Sequence, residues 1–359
     1  MKIEGIPSIY IKMNRIVLKN PGQFGIETVE TPPVGKGMAL VRIASVGICG
    51  SDMHLYRKGH IGNIHMTSPL VIGHECMGQV EAVGENTPKD LIGCRVAVEP
   101  AMPCGRCRWC ENGLQNVCPE VAFLGLPPVS GAMQEYIVHP AHLLEKLPDT
   151  LTDAEGVIME PMAIALHAIR LVKVKPNQTI VILGTGVIGT CVLSLLGLYE
   201  GLRIVCVDLL EDRLTRALQM GAYQTIRYTD RNGTLKDILH ATGGWGADIV
   251  FECAGTPESL WLMCEAASPA GHIAAIGSNP DDQVLFSSGT SRRKGLTIRC
   301  VRRSLNTLGE CIRLAEAGKI DAMSLVTHIF PASRVDEAFR TVESYSDGVL
   351  KAILDMRQW

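Results

Sequence analysis

The sequence predicts an α/β protein of two domains: an irregular, mostly β lobe and a doubly wound parallel sheet. Three observations predict it. At 359 residues the chain is long for one domain and ordinary for two, at ~150 residues per domain. Residues 20–150 are dense in Gly, Pro and short β-branched runs such as Ala39–Ile43 and Cys94–Val98, a pattern of short strands joined by turns. From about residue 164, apolar strands alternate with helical stretches, as crossover helices over a parallel sheet require.

The sheet strands are expected at Thr179–Leu183, Ile204–Asp208, Gln224–Ile226, Asp248–Glu252, His272–Ile276 and Leu296–Arg299, enough for a full doubly wound sheet. After about residue 300 come one helix, near Asn306–Ala317, and short strands near Val326–Phe330 and Leu350–Asp355. These are too little for a core of their own, so the tail is expected to fold back onto the first domain. The expected division is 1–163, 164–300 and a return over 301–359.

Hydrophobic residues make up 47% and charged residues 20%, which excludes disorder as the main state. The 34 basic and 37 acidic residues are spread without long like-charge blocks, which argues against a nucleic-acid partner. Met1-Lys2-Ile3-Glu4-Gly5 leads into no apolar run of signal length, and no stretch approaches ~18 apolar residues, so a soluble, unexported protein is expected, with no membrane partner. Thirteen cysteines is an odd number, and four crowd between 104 and 118, which favours metal ligation in a reducing cytoplasm over a disulfide framework.

The strand Thr179–Leu183 runs into Gly184-Thr185-Gly186-Val187-Ile188-Gly189 and then the apolar Cys191–Leu198, suited to a buried helix. Gly184 permits the tight turn, Gly186 lets the backbone approach a pyrophosphate, and Gly189 lets helix and strand pack. The helix start at Val187 and Ile188 supplies donors and positive potential. A second strand ends in Asp208, close to ~20 residues on, where a carboxylate can accept from an adenosine ribose. Asp208 would repel a 2′-phosphate and Leu209 offers no positive charge, so NAD is favoured over NADP; Arg213 is placed in the same site. The bland alternative is a glycine-rich turn with no ligand.

Cys104, Cys107, Cys110 and Cys118 can each take one corner of a tetrahedral zinc site, and four cysteines leave no open position, so this site should be structural. An iron–sulfur cluster and unligated buried cysteines are the alternatives. Cys76, Cys191, Cys206, Cys253, Cys264 and Cys311 sit in apolar or helical surroundings as small core residues.

Three further fragments carry candidate ligands: Gly47-Ile48-Cys49-Gly50-Ser51-Asp52-Met53-His54, Gly73-His74-Glu75 and Met159-Glu160-Pro161. A lone His or Cys in such a segment is usually structural. Together, Cys49, His74 and a glutamate supply three ligands and leave a fourth position open for an alcohol oxygen.

With these fragments the chain resembles the zinc-dependent medium-chain alcohol dehydrogenases, and within them the sorbitol (polyol) dehydrogenase branch. The resemblance spans nearly the whole chain, including Phe123 to Pro127-Pro128, Gly131–Pro140 and Thr327-His328. It implies a GroES-like, mostly β catalytic domain built from both chain ends, an inserted Rossmann domain that binds NAD, and an active site in the cleft. It also implies two zinc ions per chain, a small-molecule alcohol or polyol substrate, and a homo-oligomer, tetramer or dimer. Cys49 and His74 match the two constant ligands of the catalytic zinc. Glu75 can bind zinc in the polyol enzymes, and Glu160 stands where alcohol dehydrogenases place a ligating cysteine, so the two are expected to trade inner and outer roles. Ser51 and His54 match the proton relay, Arg303 an arginine that contacts substrate hydroxyls, and Phe123 the pocket wall. Leu55, Leu126 and Ser304 replace the tyrosine, threonine and tyrosine common there, which argues against D-sorbitol itself and leaves a polyol, sugar derivative, cyclitol or small diol. Butanediol- and threonine-type substrates stay open.

The chemistry is coherent without the name. Zinc lowers the pKa of a bound hydroxyl, as it lowers that of water towards ~7, and the deprotonated alcohol is a good hydride donor to nicotinamide. Ser51 can pass the proton through the nicotinamide ribose to His54, which titrates in the useful range; otherwise His54 is a surface histidine. A silent NAD-binding sensor or structural protein would have no need of Cys49, Ser51, His54, His74 and Glu160 together. A zinc-free quinone reductase would lack both metal clusters.

Overall fold

A computed structural model describes residues 12–66, 69–279, 283 and 285–359, so the N-terminal Met1–Gly5 lies outside the described residues. The first sheet runs in the order Leu144–Lys146, Arg95–Val98, Glu75–Val83, Met38–Gly47, Lys351–Asp355 and Val326–Pro331, with Tyr136–Pro140 also pairing with Met38–Gly47. Along Met38–Gly47 the buried positions are Ala39, Val41 and Ile43, the period of two that seats one face on a core. Val46 and Gly47 are buried as well, so the strand becomes wholly interior where it approaches Cys49.

The last strands of the chain join this sheet. Ile353 pairs with Gly47 and Asp355 with Ser45, antiparallel, and Val326–Pro331 adds a parallel strand outside. All five residues of Lys351–Asp355 are buried. The helix Val335–Ser344 forms the crossover between these two strands and places Phe339, 0% exposed, against Phe24 and Tyr56 with ring centroids 4.7 and 5.0 Å away.

The second sheet is parallel throughout, in the order Gln224–Arg227, Arg203–Asp208, Thr179–Leu183, Ala247–Glu252, Ala267–Ala275 and Thr297–Cys300. The six expected strands are all present. One begins earlier than expected, because Ala267 pairs with Ala247 before a register shift sets His272 opposite Ile249. The winding reverses between Thr179–Leu183 and Ala247–Glu252, the point at which a doubly wound sheet offers a crevice at the carboxyl ends of its strands.

The expected boundary at 163/164 falls inside one helix, Asp153–Val172. Its start is set by Thr152 and Glu155: the Glu155 amide donates to Thr152 Oγ1 (3.2 Å) and the Thr152 amide to Glu155 Oε2 (2.7 Å). Pro161 sits within it and reads in sequence as a stop, yet the helix continues because nearly every face is packed. Its Val157, Ile158 and Met162 share one core with Met77 and Ala97 of the first sheet and Ile180 and Ile182 of the second. The helix is a seam common to both sheets.

If the returning tail is integral to the first domain, Phe339→Ala should cost ~3–5 kcal/mol through lost transfer energy and a cavity, measured by urea denaturation. A cost under ~1 kcal/mol would make its docking incidental.

Candidate active site and metal centres

Cys49 caps the helix Gly50–Lys58 at the end of Met38–Gly47, with its amide donating to Asp52 Oδ2 (3.0 Å). The other oxygen of Asp52 accepts from the Gly73 amide (3.2 Å) and lies 3.6 Å from His74 Nδ1. A carboxylate 1% exposed thus ties together the two segments that carry Cys49 and His74. Burial works against a charged His74, but the neighbouring Asp52 and Cys49 outweigh it and raise its pKa well above the ordinary value.

Glu75 opens the next strand and pairs with Gly47, so the sheet register delivers it beside Cys49. Lys351 Nζ donates to Glu75 Oε2 and to the Ile48 carbonyl (3.0 Å); both charged side chains are buried, at 1% and 2% exposure. The ligand atoms of Cys49, His74 and Glu75 all lie within 4.8 Å of one another, an arrangement that can hold a metal ion with an open fourth position. The structure groups Glu75, and not Glu160, with these residues. Glu160 is buried on Asp153–Val172 with Oε2 lacking a hydrogen-bond partner; burial pushes its carboxyl up to about 8, opposed by nearby His74.

Asp52 and Lys351 had drawn no role from the sequence. Their signals are an acid three residues after a helix-capping Cys49 and a lysine heading the buried strand Lys351–Asp355.

The Phe123 ring stands 5.2 Å from the His74 ring at 57°, and the Arg303 guanidinium lies over the same ring, 4.4 Å from its centroid, so Arg303, Phe123 and His74 are contiguous. Arg303 has φ 54°, and its Nη1 is buried without a partner. Burial and then Arg302 lower its pKa to about 10. Ser304 faces elsewhere, donating to Glu99 Oε2 (2.7 Å), and Leu55 is fully buried in the first domain's core. These two departures from the polyol pattern therefore serve the scaffold. Ser51 and His54 sit three apart on Gly50–Lys58, on one helix face. Burial lowers the pKa of His54, opposed by the nearby Ser278 backbone.

In the cysteine loop, the Sγ atoms of Cys104, Cys107, Cys110 and Cys118 also lie within 4.8 Å of one another. Cys107 Sγ is 3.5 Å from that of Cys110 and 3.8 Å from that of Cys118, close to the ~3.8 Å edge of a tetrahedron with ~2.3 Å zinc–sulfur bonds. All are free thiols. The set is closed, which suits a structural ion. Between Cys110 and Cys118, Asn116 Nδ2 donates to the Arg302 carbonyl (2.9 Å), so this lobe braces the arginine segment. Cys76, Cys191, Cys206, Cys264 and Cys311 are buried, and Cys253 is half-buried.

At the crevice, Gly184 has φ 90° and Gly189 lies so near it that a Cβ there would meet the Gly184 carbonyl at 1.9 Å. Gly186 caps the helix Val187–Leu196 with no side chain across its amides, and Ile188 is half-buried beside it. The Arg213 guanidinium reaches over this turn, 3.4 Å from where a Gly186 Cβ would sit and 3.9 Å from Asp208 Oδ2; its Nε is buried without a partner. Open amides, a buried carboxylate and a guanidinium whose Nε is unpartnered are a set that fits a dinucleotide.

Residues 35–149 match the alcohol dehydrogenase GroES-like domain family and residues 187–317 the zinc-binding dehydrogenase family. Sorbitol dehydrogenase of Bacillus subtilis (strain 168) is 32% identical over 342 residues, 95% of this chain and 97% of its own. The chain belongs to the zinc-dependent alcohol dehydrogenases. L-idonate 5-dehydrogenase of Vitis vinifera is 34% identical to this dehydrogenase over 88% of the chain and 89% of its own. Among solved structures, the dehydrogenase is similar to an Escherichia coli oxidoreductase of unknown specificity (TM-score 0.89, 34% identity, 96% of this chain and 99% of that one). It is also similar to an alcohol dehydrogenase of E. coli CFT073 complexed with NADH (TM-score 0.87, 31% identity, 96% and 99%). Among the described residues no helix is long and apolar enough to cross a membrane.

Removing one partner of a buried ion pair strands the other charge, so Lys351→Met should cost ~3–5 kcal/mol in urea denaturation of chelator-treated protein. Pairing the change with Glu75→Gln should recover most of it. A Lys351→Met cost below ~1 kcal/mol would show that Glu75 is balanced elsewhere.

Proposed function

We propose that the dehydrogenase oxidises a secondary alcohol of a polyol, sugar derivative or cyclitol to a ketone, with NAD as hydride acceptor. The observation that carries the reading is the open group of Cys49, His74 and Glu75 beside the wall of Phe123 and Arg303. In this reading those three residues hold a catalytic zinc and Glu160 stands behind them, while Cys104, Cys107, Cys110 and Cys118 hold a second, structural zinc. The catalytic zinc supplies Lewis-acid activation of the hydroxyl, and NAD supplies the acceptor.

The chain's own groups do the rest. Asp52 fixes the orientation of His74 through Nδ1 and of Cys49 through its amide. Phe123 and the apolar surroundings exclude water, and Arg303 orients substrate oxygens through its unpartnered Nη1. Ser51 relays the hydroxyl proton towards His54. Burial lowers the pKa of His54, which keeps an imidazole nitrogen free to accept the proton near neutrality. Asp208 and Arg213, with the turn Gly184–Gly189, bind the cofactor, and the carboxylate selects NAD over NADP.

The unpartnered, buried Nη1 of Arg303 equally suits a carboxylate, so a polyhydroxylated acid is the second reading, in keeping with a relative that is an L-idonate 5-dehydrogenase. The reading extends to a cytoplasmic homo-oligomer, dimer or tetramer, on the family resemblance and on cysteines that are free thiols.

Metal analysis tests the assignment of the two ions. Cys49→Ser should contain about one zinc fewer, stay folded and lose turnover, whereas Cys107→Ser should lose thermal stability, because structural metal binding is folding free energy. Retained turnover in Cys49→Ser would contradict the catalytic role.

Substrate class is tested by NAD reduction over polyols, sugar acids, cyclitols, diols and threonine, followed by Arg303→Ala. That change should raise KM for the best polyhydroxylated substrate about ten- to a hundredfold, as ~1.5–3 kcal/mol for a hydrogen bond to a charged group implies. A simple secondary alcohol should be little affected. Equal losses on both, or a loss confined to NAD affinity, would move Arg303 out of the pocket.

A further inference from the structure

The middle residue of the glycine turn has no part in the motif that surrounds it, yet Thr185 is among the most enclosed polar residues of the crevice, at 2% exposure. Its amide donates to Asp208 Oδ2 at 2.7 Å and its hydroxyl donates to the same oxygen at 3.0 Å. The Leu210 amide donates to Oδ1 at 3.0 Å. From behind, Thr190 Oγ1 donates to the Thr185 carbonyl (3.0 Å), which fixes the peptide that aims these donors. The Arg213 Nη1 stands 3.9 Å from Oδ2, outside hydrogen-bond distance.

A carboxylate oxygen offers two acceptor positions. Both positions on Oδ2 are taken by Thr185, and one on Oδ1 by Leu210, so a single position on Oδ1 remains. Rotating the carboxylate to present another face would break both Thr185 bonds to a buried charge, which is costly. The hydroxyl of Thr185 therefore decides which oxygen of Asp208 meets the cofactor and keeps the negative charge in place against a 2′-phosphate.

We propose that Thr185 is a specificity-determining residue that acts through Asp208: its hydroxyl locks the carboxylate with one open acceptor for a ribose hydroxyl, and so sets the preference for NAD over NADP. The proposal rests on the NAD reading given above. It assigns the position a task that glycine spacing leaves blank.

The test is fluorescence titration of the zinc-loaded protein with NADH and with NADPH, which needs no alcohol and no turnover. Thr185→Val keeps the shape and removes the hydroxyl; it should weaken NADH binding by about tenfold and NADPH binding by less than about twofold, narrowing the gap between them. Thr185→Ser should restore wild-type values to within about twofold. In an Asp208→Asn background, adding Thr185→Val should weaken NADH by less than about twofold further, because the partner charge is already gone.

Wild-type NADH affinity in Thr185→Val would overturn the proposal, and so would equal losses of NADH and NADPH, which mark a purely structural role. If Thr185→Val does not fold, the Thr185→Ser and Asp208→Asn proteins still decide: a tenfold loss in Thr185→Ser overturns it. A wild-type protein that binds NADPH more tightly than NADH would instead remove the NAD reading, and the proposal with it.

Discussion

A carboxylate that is 2% exposed must be paired, and Glu75 is paired with a lysine 276 residues further along the chain. That pairing constrains the whole molecule. Lys351 can reach Glu75 only if its strand lies beside Met38–Gly47, so the chain must leave the first sheet, complete the parallel sheet and come back. The parallel sheet is thereby inserted between strands of the first, and segments from residues 47, 75 and 351 meet at the end of that first sheet. Cys49 and His74 are carried to the same place by the flanking register, with Asp52 holding both.

The charge balance at this point explains the donor set. Asp52, Glu75 and Glu160 are buried together with Lys351 and His74, and burial, opposed by His74 and reinforced by Glu75, pushes the Glu160 carboxyl up to about 8. A divalent cation among Cys49, His74 and Glu75 would take the place of the protons on His74 and on the Cys49 thiol while leaving one position for an oxygen ligand. On the far side, Phe123 packs between His74 and Arg303, and the cysteine loop steadies Arg302 through Asn116. Closed and open ligand sets are thus linked mechanically: one shapes the wall in front of the other.

What could be read from the sequence was what is decided locally. The six strands of the parallel sheet follow from short β-branched runs, the turn Gly184–Gly189 from steric demands on three glycines, and the cysteine loop from spacing alone. The helix Asp153–Val172 was hidden because Pro161 is a local stop signal overridden by packing on both sheets, which no short window contains. Lys351, Asp52 and Thr185 matter through partners that are distant in sequence or through hydrogen bonds on which spacing is silent. The competition between Glu75 and Glu160 likewise needed the pairing of Gly47 with Glu75 to separate them.

The central claim is that the fold brings Cys49, His74 and Glu75 together as an open zinc site distinct from the cysteine loop. Anomalous diffraction at the zinc edge, from crystals of the metal-loaded protein, addresses it directly. The account predicts two peaks per chain: one within ~2.3 Å of the four loop sulfurs, the other within about the same reach of Cys49 Sγ, a His74 nitrogen and a Glu75 oxygen, with Lys351 displaced or retained beside it. A single peak in the cysteine loop, or a second peak held by Glu160 with Glu75 still bound only to Lys351, would contradict it.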